Sequence, residues 1–208
     1  KGTRKPMPEE LREQVPVIKE VLSAMGIPIC SLPGYEADDV LGTIAGRCAA
    51  AGAEVAIVSG DRDLLQLADE HVKIRMPKTT RGGTEIKDYY PADVKEQYQV
   101  TPKEFVDVKA LMGDASDNIP GVPSIGEKTA TKIITEYHSI EEAHAHVDEV
   151  KPPRASKALK EHWDMAVMSK RLATNNGDAG FSYELGEAKL GDIYTEEAYA
   201  YFQKLQFK

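Results

Sequence analysis

The pattern of apolar and polar positions divides the chain into an α/β part followed by a helical part. Between positions 15 and 25 apolar residues recur at helical spacing, and Gly26 stands where a glycine commonly ends a helix. The segment IPICSLP (27–33) is predicted to be a short apolar strand. A second helix is expected over 36–52, and the apolar run VAIVS (55–59) follows it without alternation. Such a run is typical of a strand buried on both faces in a parallel sheet.

The same order of elements continues after the VAIVS run. DRDLLQLAD (61–69) predicts a short helix, and VKIRM (72–76) predicts the next strand. Strands alternating with helices over so short a stretch indicate an α/β domain with right-handed crossovers. Residues 77–83 are basic and contain glycine, so we expect a surface loop there.

Helical signals dominate beyond Tyr90. Thr101, Pro102 and Glu104 form a capping box with proline at the first helical position, which predicts a helix over PKEFVDVKALMG. NIPGVPSIG then interrupts the helix with two prolines and two glycines, and EKTATKIITEY resumes it near Glu127. The sequence therefore predicts a helix, a tight loop and a second helix.

The organisation expected from these signals is two domains. An α/β core would occupy 1–94, and a helical subdomain would occupy 95–208 with its helix-loop-helix unit around 101–137. The clearest later helix is predicted over 151–173, and TEEAYAYFQKLQF predicts the last one.

Composition narrows the class of protein. No apolar run approaches the roughly 20 residues that cross a bilayer, and the N-terminus lacks the apolar stretch of a signal peptide. Cys30 and Cys48 have no zinc or disulfide spacing, so we expect buried free thiols in a reducing cytoplasm. The predicted protein has no membrane partner.

The net charge of −8 argues at first against a polyanionic partner. However, seven of the carboxylates are concentrated in YEADD, SGDRD and GDASDN, while basic residues recur in separate groups. An acidic pocket beside basic surfaces fits a metal-dependent enzyme that acts on a polyanion, although each basic group taken alone is better explained as a solvated face. The basic groups are Lys1, Arg4 and Lys5; Lys73, Arg75, Lys78 and Arg81; Lys128 and Lys132; and Lys151, Arg154, Lys157 and Lys160.

The three acidic clusters point to divalent cations. So many like charges in one fold repel one another unless a positive group lies among them, and hard cations prefer oxygen ligands. Two clusters follow predicted strands, and functional groups of open α/β sheets gather at strand ends. The candidate metal ligands are Glu36, Asp38, Asp39, Asp61, Asp63, Asp114 and Asp117.

Structural explanations compete with this interpretation. Acids at a helix N-terminus favour the helix dipole and cap free N–H groups, which would explain one or two residues of YEADD. Asp114 and Asp117 could equally be turn residues of the Asx type, and DASDNI lacks the glycine and distal glutamate of a calcium loop. From spacing alone, GDASDN remains an ambiguous contributor.

The glycine-rich loop before Glu127 suggests phosphate binding. Such a loop exposes backbone N–H groups, and the following helix start adds a partial positive charge, so the unit can hold a phosphate without reading bases. A helix hairpin packed only for structure is the alternative. The candidate nucleic-acid contacts are Gly121, Val122, Ser124, Gly126, Lys128 and Lys132.

Three motifs carry a family resemblance. YEADD, VSGDRDLLQLA and especially LMGDASDNIPGVPSIGEKTA closely resemble the 5′ nuclease domain of bacterial DNA polymerase I, within the flap endonuclease superfamily. The resemblance extends over essentially the whole chain. It implies a PIN-like parallel α/β sheet flanked by helices, with a C-terminal helical module that contains a helix-hairpin-helix-type motif.

The resemblance also implies roles for individual residues. The seven carboxylates would bind two divalent ions, Mg²⁺ or Mn²⁺, and a potassium ion would lie at the 118–126 loop. Lys1 and Arg4 match the base of the family's helical arch, where basic side chains approach the scissile phosphate. The implied substrates are duplex DNA with a 5′ flap or nick and RNA primers, in a monomeric, cytoplasmic and nucleoid-associated protein covalently linked to polymerase domains.

The chain departs from the family at its start. The family has an earlier strand with an aspartate ligand and a second aspartate before the arch, whereas this sequence begins inside the arch motif at Lys1. The resemblance therefore implies an N-terminally truncated domain whose own cleavage is weak or absent. Two alternatives remain open: a non-catalytic module that binds branched duplex DNA, and a non-polymerase RNase of the same α/β class.

Overall fold

The computed structural model describes residues 6–80, 82–181 and 185–207. Lys1 and Arg4 lie outside this range. In chain order the described residues form α1 (Glu9–Ala24), α2 (Ala37–Ala50), β1 (Val55–Val58), a 3-10 helix (Arg62–Leu67), β2 (Val72–Thr80), β3 (Gly83–Tyr89), α3 (Pro91–Tyr98), α4 (Pro102–Met112), α5 (Glu127–Tyr137), α6 (Ile140–Ala145), a 3-10 turn (Val147–Glu149), α7 (Pro153–Glu161), α8 (Trp163–Ala173), a 3-10 turn (Leu185–Ala188) and α9 (Glu196–Lys204).

The described strands form one mixed sheet in the order β1-β2-β3. β1 and β2 are parallel, with Val55 opposite Val72, which confirms the predicted parallel pair. The expected burial of β1 on both faces was wrong, because Ile57 is buried while Val58, on the opposite face, is 65% exposed. The loop predicted over 77–83 was wrong, because β2 continues to Thr80 and returns as the antiparallel β3. A polar segment can form a strand when its partner completes the backbone hydrogen bonds and opposite charges face each other. Arg75 and Asp88 make such a pair, with Nε and Oδ1 2.7 Å apart.

The strand predicted over 27–33 is also absent from the described residues, where this segment is irregular. Pro28 and Pro33 remove two backbone donors that a strand would need. Cys30 is consequently exposed, which corrects the expectation of a buried thiol, whereas Cys48 is buried as predicted.

The helix predicted over 151–173 divides at His162, whose backbone (φ −121°, ψ 33°) is not helical. Both helices contribute to the core, since Leu159 in α7 and Ala166 in α8 are fully buried. The sequence has no proline or glycine at this boundary, so its pattern does not indicate the break.

One continuous apolar core joins the α/β part to the helical part, from Ala45 in α2 to Ala166 in α8. Helix α4 lies at its centre, since eight of its eleven residues are buried. The predicted cap of α4 is confirmed, with the Thr101 N–H donating to Glu104 Oε2 at 2.7 Å. No helix of the described residues is long and apolar enough to cross a membrane.

Helix α4 carries two charged side chains into this core, Asp107 and Lys109, which are 5% and 2% exposed. Asp107 accepts a hydrogen bond from the Ile140 N–H at 3.0 Å and pairs with Lys170 Nζ at 2.7 Å. Burial raises the pKa of Asp107, although Lys170 and the Ile140 amide oppose that effect. Lys170 also contacts Glu141 at 2.7 Å, so the two ion pairs of Lys170 link α4, α6 and α8.

Replacement of Lys170 by methionine is expected to lower the free energy of unfolding by about 2–4 kcal/mol at pH 7, because Asp107 is left buried without its counter-charge. The loss should shrink as pH falls. A raised folded-state pKa means that the folded protein binds the extra proton, so its relative stability increases toward acid.

Urea unfolding at pH 5 and pH 7 measures this difference. The control Glu141→Gln removes the more exposed acid of the same cluster and should cost less than about 1 kcal/mol. Equal losses of unfolding free energy in Lys170→Met and Glu141→Gln, without pH dependence, would contradict the role of Lys170 as the counter-charge of Asp107.

Candidate metal and nucleic-acid site

The carboxylates of SGDRD lie just past the end of β1, as the sequence predicted. Asp61 begins the 3-10 helix that leaves the strand, and its Oδ1 accepts a hydrogen bond from the Asp63 N–H at 3.0 Å. Ser59 Oγ in turn accepts from the Asp61 N–H at 3.1 Å. These local bonds fix the turn that presents both aspartates.

The carboxylates of YEADD lie at the start of α2. Asp39 Oδ2 accepts a hydrogen bond from the Glu36 N–H at 3.3 Å, which is the capping function considered for this cluster. Asp39 Oδ1 accepts from the Asn176 N–H at 2.8 Å, a contact from far along the chain. Helix capping therefore explains one oxygen of Asp39, and a long-range contact explains the other.

The GDASDN loop is an Asx turn closed by a backbone bridge. Asp114 Oδ1 accepts from the Ser116 N–H at 2.8 Å, and the Asp114 and Ile119 backbones exchange hydrogen bonds at 2.9 and 2.8 Å. Gly113 and Gly121 close this loop with positive φ angles of 74° and 64°. A Cβ on Gly121 would collide with the Gly113 backbone, so the contact requires glycine.

These three segments meet at a cavity of about 490 Å³. Its acidic residues come from all three motifs, and its remaining wall is the end of α8 and the segment after it, 171–176. The acidic lining residues are Glu36, Asp38, Asp39, Asp61, Asp63 and Asp117.

Asp114, the seventh predicted ligand, reaches the cluster from a neighbouring cavity of about 570 Å³, which Asp63 also lines. Carboxylate oxygens of Asp63, Asp114 and Asp117 lie within 4.8 Å of one another. These three residues come from two motifs that are distant in sequence. The structure thus brings GDASDN into the acidic site, which spacing alone left open.

Lys109 is the principal site residue that sequence reasoning missed. Its ammonium contacts Asp63 and lies 2.8 Å from Asp114 Oδ2, with only 3% of the side chain exposed. Burial acts to lower the pKa of Lys109, but Asp114 and Asp63 outweigh it and raise that pKa. A charged residue within the apolar run FVDVKALM was the available signal, because such residues are buried only when paired.

The pKa values of the two aspartates beside Lys109 shift in opposite directions. Burial raises the pKa of Asp63 despite the Lys109 contact. Burial also acts to raise the pKa of Asp114, but hydrogen bonds from Lys109 and Ser116 hold it well below its usual range. Asp114 is therefore the more firmly ionised acid of the pair.

The donor set fits hard divalent cations. Every candidate ligand is a carboxylate, three of them lie within the span of one coordination sphere, and the six acids that line the acidic cavity share it with one lining base, Arg171. The arrangement can therefore hold a cation and orient an oxyanion against it.

Gln66 connects the two halves of the site. Its Nε2 donates to the Asp63 carbonyl at 2.9 Å and to the Ala173 carbonyl at 3.0 Å. Its Oε1 accepts from the Asn175 N–H at 2.9 Å. One amide thus ties the aspartate-bearing turn to the end of α8. These partners are more than 100 residues apart, and no local pattern could indicate them.

The predicted nucleic-acid loop divides into buried and exposed residues. The Gly121 N–H donates to Ser169 Oγ at 3.0 Å, and the Val122 N–H donates to the Leu111 carbonyl at 2.8 Å. These two amides are therefore engaged inside the protein. The exposed members are Ser124, Gly126, Lys128 and Lys132.

Replacement of Gly121 by alanine is expected to destabilise the protein by about 3 kcal/mol or more, through the backbone collision and the left-handed φ. Thermal and urea unfolding measure the loss. Gly46→Ala is the control, since its added Cβ meets no atom within 4 Å on a helical backbone. That change should stabilise by about 0.5–1 kcal/mol, and a similarly mild effect at Gly121 would contradict the closed-loop geometry.

Gln66→Met is expected to cost about 2 kcal/mol, because it keeps the side-chain volume and removes the hydrogen bonds to two carbonyls and one N–H. Hydrogen exchange at the Asn175 amide should accelerate. The exposed Gln203→Met serves as the control and should change neither quantity. Unchanged Asn175 exchange in Gln66→Met would exclude the bridge.

Comparison with known proteins agrees with this architecture. Residues 1–99 match the family model of the 5′-3′ exonuclease N-terminal resolvase-like domain, and residues 100–196 match that of the 5′-3′ exonuclease C-terminal SAM fold. Solved structures share the fold at low identity. The T5 5′-exonuclease with bound zinc has a TM-score of 0.70 at 21% identity, covering 99% of this chain and 72% of that one. The Rad2 catalytic core with DNA has a TM-score of 0.64 at 14% identity, covering 96% and 66%.

Curated relatives cover the whole chain. DNA polymerase I of Bacillus caldotenax is 44% identical over 208 residues, and that of Bacillus subtilis is 42% identical over 207 residues. The chain spans 24% and 23% of these two relatives, about a quarter of their length. Together the two family models match nearly the entire sequence, and the boundary between them falls between residues 99 and 100. The chain therefore belongs to the 5′-3′ exonuclease family.

Proposed function

We propose that the chain is the structure-specific 5′ nuclease part of a DNA polymerase I, hydrolysing phosphodiester bonds in 5′ flaps, at nicks and in RNA primers. The observation that carries this proposal is the cluster of Asp63, Asp114 and Asp117, whose oxygens lie within 4.8 Å of one another beside an acidic cavity. An acidic cavity of this kind repels a phosphodiester unless cations are bound there. Metal-dependent phosphodiester hydrolysis reconciles the acidic site with the family.

We assign the seven carboxylates to two divalent cations, Mg²⁺ or Mn²⁺. Bound ions of this kind lower the pKa of water and offset the charge that develops on the phosphate. Hydrogen bonds hold these acids in place. The Asp61 and Asp39 carboxylates accept from the N–H groups of Asp63 and Asn176, and Gln66 holds the main-chain carbonyl of Asp63. Lys109 contacts both Asp63 and Asp114 and so keeps these two carboxylates close together.

Solved relatives support the metal and DNA assignments. The T5 exonuclease binds zinc, a T5 flap endonuclease variant has been seen with DNA and metal ions, and the Rad2 core has been seen with a DNA substrate. By analogy, the loop before α5 would bind duplex backbone through Ser124, Gly126, Lys128 and Lys132. A potassium ion at residues 118–126 belongs to the same proposal, as do Lys1 and Arg4 as basic residues near the scissile phosphate.

The biological setting follows from the curated relatives. They are bacterial DNA polymerase I proteins, so we propose a monomeric, nucleoid-associated cytoplasmic enzyme with covalently linked polymerase domains.

Lys109 gives some support to the alternative function, a non-catalytic DNA-binding module, because it partly compensates the charge of the acids without an ion. A non-catalytic module for branched duplex DNA would need such compensation.

Asp61→Asn in the full-length protein is expected to reduce Mg²⁺-dependent flap cleavage by more than the roughly 10–100-fold that loss of an outer-shell partner costs. Asparagine caps a helix as well as aspartate, so the turn should survive and the loss should reflect the missing charge. Gel-based cleavage of a 5′-flap duplex measures it.

Asp192→Asn is the matched control. Its Oδ1 accepts from an N–H two residues ahead, Tyr194, at 2.9 Å, and it does not line the acidic cavity. That variant should cleave normally, and both should bind flap duplex in Ca²⁺. Full activity in Asp61→Asn would refute the metal role, whereas wild-type binding without cleavage under any divalent ion would establish the non-catalytic module.

A further inference from the structure

The basic residues of α7 are not equivalent. Lys157 lies 3.8 Å from Glu161 Oε1, and Lys160 lies 3.3 Å from Asp148 Oδ1. Arg154 is exposed, and within the described part of the chain its guanidinium pairs with no carboxylate inside 4.0 Å. The positive charge of α7 is therefore least compensated at its first turn.

Arg154 is held against the glycine-rich loop. Its Nη2 donates to Ser124 Oγ at 2.9 Å, across 30 residues of sequence. Ser124 itself has a left-handed backbone (φ 71°), between the buried side chains of Val122 and Ile125. The guanidinium thus lies beside the exposed Ser124, which is one of the candidate phosphate contacts.

Helix α7 gives this arginine a rigid base. Ala155 and Leu159, one and five positions later, are 1% and 0% exposed. Ser156 Oγ donates to the Val147 carbonyl at 2.5 Å, which fixes the first turn against the preceding segment. The side chain therefore extends from an ordered helix, so less conformational entropy is lost when it binds a ligand.

We propose that Arg154 extends the nucleic-acid surface beyond the loop and binds a further backbone phosphate of the same duplex; this rests on the proposed function. A guanidinium carries five N–H groups, and Ser124 accepts from one of them. The others suit the forked contact that arginine makes with phosphate oxygens. The contact reads the backbone and carries no base specificity.

Salt-dependent binding tests this role. Arg154→Met in the full-length protein should weaken binding of a 5′-flap duplex in Ca²⁺ on the order of 3–10-fold, equally for two unrelated sequences. The slope of log K against log salt should fall by about 0.9, the loss of one phosphate contact. Lys157→Met, on the same helix but paired with Glu161, is the matched control and should change neither quantity.

Two further measurements keep the outcomes separate. Duplex binding by the wild-type protein tests the proposed function, and Lys128→Met tests the loop. If the wild-type protein binds no duplex, the proposed function fails, and the inference fails with it. If Lys128→Met weakens binding while Arg154→Met behaves like Lys157→Met, only the inference fails. Weaker binding by Arg154→Met with an unchanged salt slope and lower unfolding free energy would show that Arg154 merely supports the loop, which also overturns the inference.

Discussion

The acidic site depends on the contact of the buried Lys109 ammonium with Asp63 and Asp114. Helix α4 is covered on nearly all sides, so a charge on it is tolerated only if partners compensate it completely. Asp63 and Asp114 supply that compensation, one from the turn after β1 and the other from the loop after α4. The same contact that makes the lysine tolerable in the core brings together carboxylates from two distant motifs.

The structural interpretation of the acidic motifs is confirmed for individual carboxylate oxygens, and it is compatible with the proposed ligand role. Asp39 caps α2 with one oxygen, and Asp114 completes an Asx turn with Oδ1 while Oδ2 contacts Lys109. Asp61 begins a 3-10 helix at the rim of the cavity. Ordinary turn and cap chemistry thus orients the acids. Capping and the proposed ligation therefore do not exclude each other.

The sequence predicts features that local chemistry decides. The Thr101 capping box, the VAIVS strand and the helix at Glu127 all appear where expected, although the strand is buried on one face only. Features without a clear local signal were missed: the β2–β3 hairpin, the break at His162 and the Gln66 bridge. The seven acids could be selected because they cluster in sequence. Lys109 could not be assigned to them, because its partners lie in other segments.

The positive charge of Lys109 also affects whether folding of the protein requires bound metal ions. In many small metal sites the ligands repel one another until the ion arrives, so removal of the ion unfolds the protein. Here Asp63 and Asp114 already have a covalently attached counter-charge. These two acids are therefore compensated without an ion. The polypeptide can reach its native state before any ion binds at the proposed site.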